Sequence, residues 1–198
     1  MAERVLDVVV ASLAMVLGAP LGALITAAIR IASPGPIIFS QLRVGENGRP
    51  FTIYKFRTLP WKPSRTNDSR WLDTEPAEAG AMGRFLRRTG LDEWPQFWNV
   101  LRGEMSVVGP RPERPKFAAR FTREMPGYRQ RQLVKPGITG WAQIHGLRGH
   151  GDIRERLAFD LFYLENRSLW LDCKILLATP LSALGAPRSP LKDHARSI

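Results

Sequence analysis

Residues 91–112 read LDEWPQFWNVLRGEMSVVGPRP, an adjacent acidic pair followed by a basic Pro-Arg-Pro turn. The spacing predicts a helix over Leu91–Leu101, with Asp92 as its N-cap, Pro95 in its first turn and Gly103 just past its end. Two acids in a first turn ordinarily serve the cap and the helix dipole. A chemical role needs more: a carboxylate that attacks phosphorus or holds a divalent cation, with cations nearby to neutralise phosphate oxygens. Arg87 and Arg88 lie just upstream, and Arg111 sits between two prolines that pre-set its backbone. A guanidinium so placed can grip a phosphate through two parallel hydrogen bonds. Gly109 leaves room for a ligand to approach the backbone.

Upstream, Val8 to Ile29 carry no charge, flanked by Arg4 and Asp7 before and Arg30 after. As a helix this segment rises about 33 Å, enough to cross a hydrocarbon core of about 30 Å. Its length, and the SPGP turn that follows, argue against a cleaved signal peptide. The residues leave three arrangements open. The segment spans the membrane once; or it enters and turns back, with the break at Gly18-Ala19-Pro20; or it is a buried core helix. Pro20 removes a backbone hydrogen bond near the midpoint. A re-entrant hairpin keeps Arg4 and Arg30 on one face, as the positive-inside rule favours.

Further along, Ile37–Leu42 and Phe51–Phe56 flank Gly45-Glu46-Asn47-Gly48, which predicts a β-hairpin. On its second strand Lys55 and Arg57 alternate with Tyr54 and Phe56, so both cations share a face. Such a pattern commonly guards a solvated edge. Residues 59–79 read as a surface loop. Helices are expected over Met82–Thr89, Arg114–Met125 and Ile153 to about Leu184, while Arg131–Gln143 is loop-like. Arg148, between Gly146 and Gly149, is a cation on a flexible loop. The tail 186–198 reads as disordered.

The chain has 198 residues, 44% of them hydrophobic, sufficient for one sizeable domain. Lys and Arg number 29 against 18 Asp and Glu, a net charge of +11, which calls for an anionic partner. One cysteine excludes an internal disulfide, and three histidines leave little material for zinc. There is no Walker-A sequence and no GxGxxG. A nucleic-acid-binding protein fits the charge but leaves the apolar segment without a role, so no nucleic-acid partner is expected. A membrane-anchored scaffold without catalysis is a second alternative.

Together the pieces resemble the bacterial sugar transferases, the monotopic polyprenyl-phosphate sugar-1-phosphate transferases. The matching pieces are Arg4-x-x-Asp7, SPGPIIFSQLRVG (33–45), PFTIYKFRT (50–58), GRFLRRTGLDEWPQFWNVLRGEMSVVGPRP (83–112), VKPGITGWAQ (134–143) and FDLFYLENRSLWLDCKILL (159–177), in that order. The resemblance implies an α+β, mostly α fold: a re-entrant membrane helix (1–32) broken at Pro20, a cytoplasmic catalytic domain (33–185) with a small hairpin and amphipathic surface helices, and the tail (186–198). It implies transfer of a sugar-1-phosphate from a UDP-sugar to polyprenyl phosphate, releasing UMP, as the first membrane step of glycoconjugate or polysaccharide biosynthesis. The place would be the cytoplasmic face of the bacterial inner membrane, on an anionic lipid bilayer. By the same resemblance Asp92 is the nucleophile, forms a covalent phosphosugar and binds Mg²⁺, with Glu93 as its partner. Lys55, Arg57, Arg87, Arg111, Pro112 and Arg148 become candidates for holding phosphates or uridine. The chain departs from the family pattern at Ala19 and Gly90, where Ser is frequent, at Glu104 for Asp, and at Trp94 for Leu. Larger members carry an extra N-terminal region; the chain is similar to the minimal catalytic form.

Overall fold

The computed structural model describes residues 2–60, 79–147 and 152–183. All but the ends of the 59–79 loop, Arg148 and the 186–198 tail lie outside the described residues. Within them the elements run α1 (Ala2–Ala32), β1 (Ile38–Val44), β2 (Pro50–Phe56), α2 (Ala81–Thr89), α3 (Gln96–Leu101), β3 (Ser106–Val108), α4 (Pro115–Glu124), β4 (Gly137–Thr139), α5 (Trp141–Ile144), α6 (Ile153–Glu165) and α7 (Leu169–Ala183). The fold is α+β and mostly helical, as expected.

Helix α1 is long and apolar enough to cross a membrane. It is nonetheless seated on the domain along its whole length. Asp7, Ala11, Gly22, Ile25 and Ile29 recur at helical spacing and are buried. Val5, Leu13, Val16, Leu17, Leu24 and Ile31 stay exposed on the rest of its surface. Near its start Arg4 donates to the carbonyls of Val100 (2.6 Å) and Leu101 (2.8 Å), satisfying the last turn of α3. Asp7 accepts from Ser106 Oγ and Val107 N, each at 2.7 Å. Beyond its far end Arg57 donates to the carbonyls of Pro34 (2.7 Å) and Ser33 (2.8 Å). Both ends therefore lie on one domain.

The break expected at Gly18-Ala19-Pro20 does not interrupt the helix, which runs through Pro20 on its exposed side. The hydrogen bond that proline removes belongs to an element anchored at both ends and along its seam, so losing it leaves the helix whole.

The hairpin forms where expected, antiparallel from Ile38↔Phe56 to Val44↔Pro50, with Asn47 in the left-handed region (φ 55°) at its turn. Its inner face meets α1 and α3 through Phe51, Ile53, Ala11, Val100, Met105 and Val107, the central core. Asn99, fully buried, takes the place of a third strand: its Oδ1 accepts from Tyr54 N (3.2 Å) and its Nδ2 donates to Thr52 O (2.7 Å).

Two expectations are corrected. The loop-like stretch 131–143 holds β4, paired in parallel with β3 through Ser106↔Gly137 and Val108↔Thr139, and then α5. Gly109 and Gly137 let the backbones close up there; a Cβ on Gly137 would overlap Gly109. The single helix expected from Ile153 divides at Asn166–Ser168 into α6 and α7. Asn166 leaves helical geometry (φ −107°, ψ 14°), and Ser168 Oγ accepts from Leu171 N at 3.3 Å to open the next helix.

Candidate active site

Gly90 ends α2 in a left-handed conformation (φ 75°) and turns the chain into a short 3₁₀ segment, Leu91–Glu93. The single helix expected over Leu91–Leu101 is thus two pieces, and Asp92 makes no cap. Hydrogen bonds run three residues back, from Glu93 N to Gly90 O (3.0 Å) and from Trp94 N to Leu91 O (3.3 Å), before α3 starts at Gln96. The tighter path is dictated by side chains: Glu93 reaches two cations, and Trp94 reaches back to α1.

Glu93 is the gripped member of the pair. Lys55 Nζ, from β2, lies 2.8 Å from its Oε1. Arg111 closes on both oxygens, Nη2 to Oε1 at 2.7 Å and Nη1 to Oε2 at 3.4 Å. Burial alone would raise the Glu93 pKa, but the charges of Arg111 and Lys55 and their hydrogen bonds hold it well below the usual carboxylate range. Asp92 is only 8% exposed. Its pKa is pushed up to about 6, first by burial and then by the Glu93 charge, against the pull of Lys55, Arg111 and Arg87. A buried carboxylate lies among three cations, two of which bond its neighbour.

The Pro-Arg-Pro turn is held carbonyl by carbonyl. Pro110 O accepts from Gly137 N at 3.0 Å, Arg111 O from Arg131 Nη2 at 2.9 Å, and Pro112 O from Arg43 Nη1 at 3.0 Å. Behind it lies a buried ionic layer that pairs Arg131 with Asp160 (2.7 Å) and Arg156 with Glu113 (2.8 Å). Arg131 Nη1 also donates to Tyr128 Oη at 2.9 Å. Pro112 itself is buried, so its part is to shape the frame around Arg111.

The expected cations thus separate. Lys55 and Arg111 meet at Glu93, and Arg87, which donates to Thr58 Oγ1 at 2.8 Å, contributes its field at Asp92. Arg57 does not join them: its donors go to Ser33 and Pro34, and it ties down the end of α1. Arg148 lies outside the described residues. Arg43, Arg131 and Trp94 went unread as site residues, because the contacts that give them meaning come from remote parts of the chain. For Trp94 the one local signal was its position directly after the acidic pair.

Among the described residues, no three His, Cys, Asp or Glu side chains gather to hold a metal by themselves. The donor set fits a Mg²⁺ bound in the other common way, by one or two carboxylates with the remaining ligands from substrate phosphate and water. Asp92 is the available carboxylate, since Glu93 is already neutralised.

Known proteins share this sequence over most of its length. The UDP-glucose:undecaprenyl-phosphate glucose-1-phosphate transferase of Escherichia coli (strain K12) is 42% identical over 181 residues, covering 89% of this chain and 39% of that protein. The UDP-N-acetylgalactosamine-undecaprenyl-phosphate N-acetylgalactosaminephosphotransferase of Aeromonas hydrophila is 40% identical, over 89% of this chain and 42% of its own length. The chain thus spans about two fifths of those relatives. A protein of nearly the same size, the exopolysaccharide production protein PSS of Rhizobium leguminosarum bv. phaseoli, is 36% identical over 92% of this chain and 94% of itself. The model of the bacterial sugar transferases matches residues 1–186, and the chain belongs to that family.

Proposed function

We propose that this protein transfers a sugar-1-phosphate from a UDP-sugar to undecaprenyl phosphate and releases UMP. The observation that carries the proposal is the division of labour in the acidic pair: Glu93 absorbs Lys55 and Arg111, and Asp92 stays buried beside them with a pKa near 6. A carboxylate so placed is ionised at neutral pH yet poorly solvated, which makes it a competent nucleophile.

In the first step an Asp92 carboxylate oxygen attacks the β-phosphorus of the UDP-sugar. The bond from that phosphorus to the bridging oxygen breaks, and UMP leaves with the bond's electrons. Asp92 then carries the phosphosugar as an acyl phosphate. In the second step a phosphate oxygen of undecaprenyl phosphate attacks the same phosphorus, and Asp92 leaves as a free carboxylate. An anion attacking an anion needs charge neutralised at the equatorial oxygens, which Arg87 and Arg111 supply. Glu93 fixes Lys55 and Arg111 where the phosphates arrive. A bound Mg²⁺ would add Lewis-acid charge on the diphosphate.

The lipid acceptor requires the site to lie at a membrane. The exposed apolar surface of α1, the seating of both its ends on one domain and the net charge of +11 support a monotopic arrangement. The catalytic domain then faces the cytoplasm from the bacterial inner membrane. The relatives' names divide between glucose and N-acetylgalactosamine, so the sugar is decided by a panel. The test is UMP release in detergent with Mg²⁺, undecaprenyl phosphate and UDP-sugars one at a time. Release with one sugar, abolished by Asp92→Asn, supports the reading; no release with any sugar overturns it.

A further inference from the structure

Trp94 follows the acidic pair directly, yet its indole lies against α1, 80 residues earlier in the chain. Its Nε1 donates to Ala14 O at 3.0 Å. The ring fills a notch made by two glycines. A Cβ on Gly18 would overlap Nε1, and one on Gly22 would stand 3.0 Å from both Cη2 and Cζ3. The indole also stacks on Phe56, with centroids 6.0 Å apart and planes within 1°. Phe56 is 3% exposed and lies between Lys55, which bonds Glu93, and Arg57, which bonds the end of α1. The contacts close a loop: α1 to Trp94, Trp94 to Glu93 through the backbone, Glu93 to Lys55, and Lys55 through Phe56 back to the indole.

From this we infer that Trp94 is a positioning residue that keys the acidic pair to α1 through Gly18 and Gly22. The inference rests on the reaction assigned to Asp92 and Glu93 above. Gly18 and Gly22 bracket Pro20, where α1 lacks one backbone hydrogen bond and is weakest against bending. The indole braces the helix at that point. Any shift of α1 there is delivered to the residue next to Glu93, and so to Asp92, rather than being absorbed in a loop. Phosphoryl transfer is sensitive to this, because a displacement of about 1 Å costs up to about a hundredfold in rate.

The test is a double-mutant cycle on the purified full chain: wild type, Gly18→Ala, Trp94→Leu and the pair together. Each is measured for UMP release and for thermal midpoint. The added methyl of G18A pushes the indole out of its notch, so kcat falls by about tenfold or more while KM for the UDP-sugar changes less than about twofold. Leucine leaves room for that methyl, so the double variant recovers to the level of W94L alone. If G18A costs as much in the W94L background as in wild type, the two sites are independent and the inference falls. Should G18A fail to fold, Gly22→Ala, whose methyl is less crowded, carries the same cycle. A wild-type protein that releases no UMP defeats the assigned reaction instead. The midpoints of the same four proteins then decide the key: non-additive midpoints support it, and additive midpoints overturn it.

Discussion

Two clusters of acids and cations meet at the Pro-Arg-Pro turn, and they are built differently. In the layer behind the turn each acid has its own arginine, Asp160 with Arg131 and Glu113 with Arg156, all of them buried. Burial pushes Asp160 up, and the Arg131 contact at 2.7 Å opposes it. In front, two acids face Lys55 and Arg111, but both cations bond the same acid, Glu93. Pairing every charge gives a rigid wall. Bonding both cations to one carboxylate leaves the other, Asp92, buried and short of an ion pair, with its pKa near 6. The same kinds of charge thus give a support in one place and a reactive group in the other.

The sharpest way to break that comparison is Asp92→Asn. If Asp92 is the nucleophile, UMP release falls by about 10⁴-fold or more. The fold holds, because asparagine also removes a charge that Glu93 repels, and the thermal midpoint stays level or rises. A variant that keeps its activity would make the front cluster merely another ion-pair layer. The mirror experiment is Glu113→Gln, which removes the carboxylate charge 2.8 Å from the buried Arg156 guanidinium. Breaking one buried pair costs about 3–5 kcal/mol, so the midpoint drops by about 10 °C. Calorimetry checks the drop, and kcat per folded molecule should change little. A midpoint within a degree or two of wild type would mean the wall is not what holds the turn.

The two clusters should also separate by pH. Lys55, Arg87, Arg111 and Glu93 all act on Asp92, whose pKa stands at about 6 against an ordinary 3.8. Because the nucleophile must be ionised, kcat/KM rises with pH through about 6 and then levels. Stability moves the other way. Between the unfolded and folded values the folded state binds the extra proton, so Asp92's contribution is full at low pH and is lost as pH rises through about 6. The loss is on the order of 2–3 kcal/mol. Urea midpoints of wild type and D92N, compared from pH 4 to 8, should converge at the acid end and diverge above. Parallel curves would show that Asp92 is not perturbed.

Much of this was legible in the sequence wherever the signal was local. The hairpin followed from its turn residues, α2 and α4 lie within one residue of the spans expected, and the acidic pair stood out by its proximity to arginines. What escaped was non-local. β3 and β4 are three residues each, too short to show alternation, and only their pairing makes them strands. The break at Asn166–Ser168 carried a cap signal in Asn and Ser, overridden by the apolar run on either side. The 3₁₀ path at Leu91–Glu93 comes from tertiary bonds of Glu93 and Trp94 that no spacing reveals. Lys55 and Arg57 share a face of β2 in sequence, yet the structure sends one to Glu93 and the other to the end of α1.

That last separation supplies the finest test. Arg57 donates to Pro34 O, Ser33 O and Ser33 Oγ at 2.7–2.9 Å, a fork that a lysine cannot reproduce. Burial and the nearby Arg30 both lower its pKa, so nothing there favours an extra cation for its charge. Arg57→Lys keeps the charge and loses the fork. If Arg57 only anchors α1, the variant loses about 1 kcal/mol and a few degrees of midpoint, with KM for the UDP-sugar unchanged. If Arg57 grips phosphate as Arg111 is positioned to, KM rises by about tenfold with little change in midpoint. The first outcome confines the phosphate-binding group to Lys55, Arg87 and Arg111 among the described cations named here. The second would return Arg57 to the site and require α1 to release it when substrate binds.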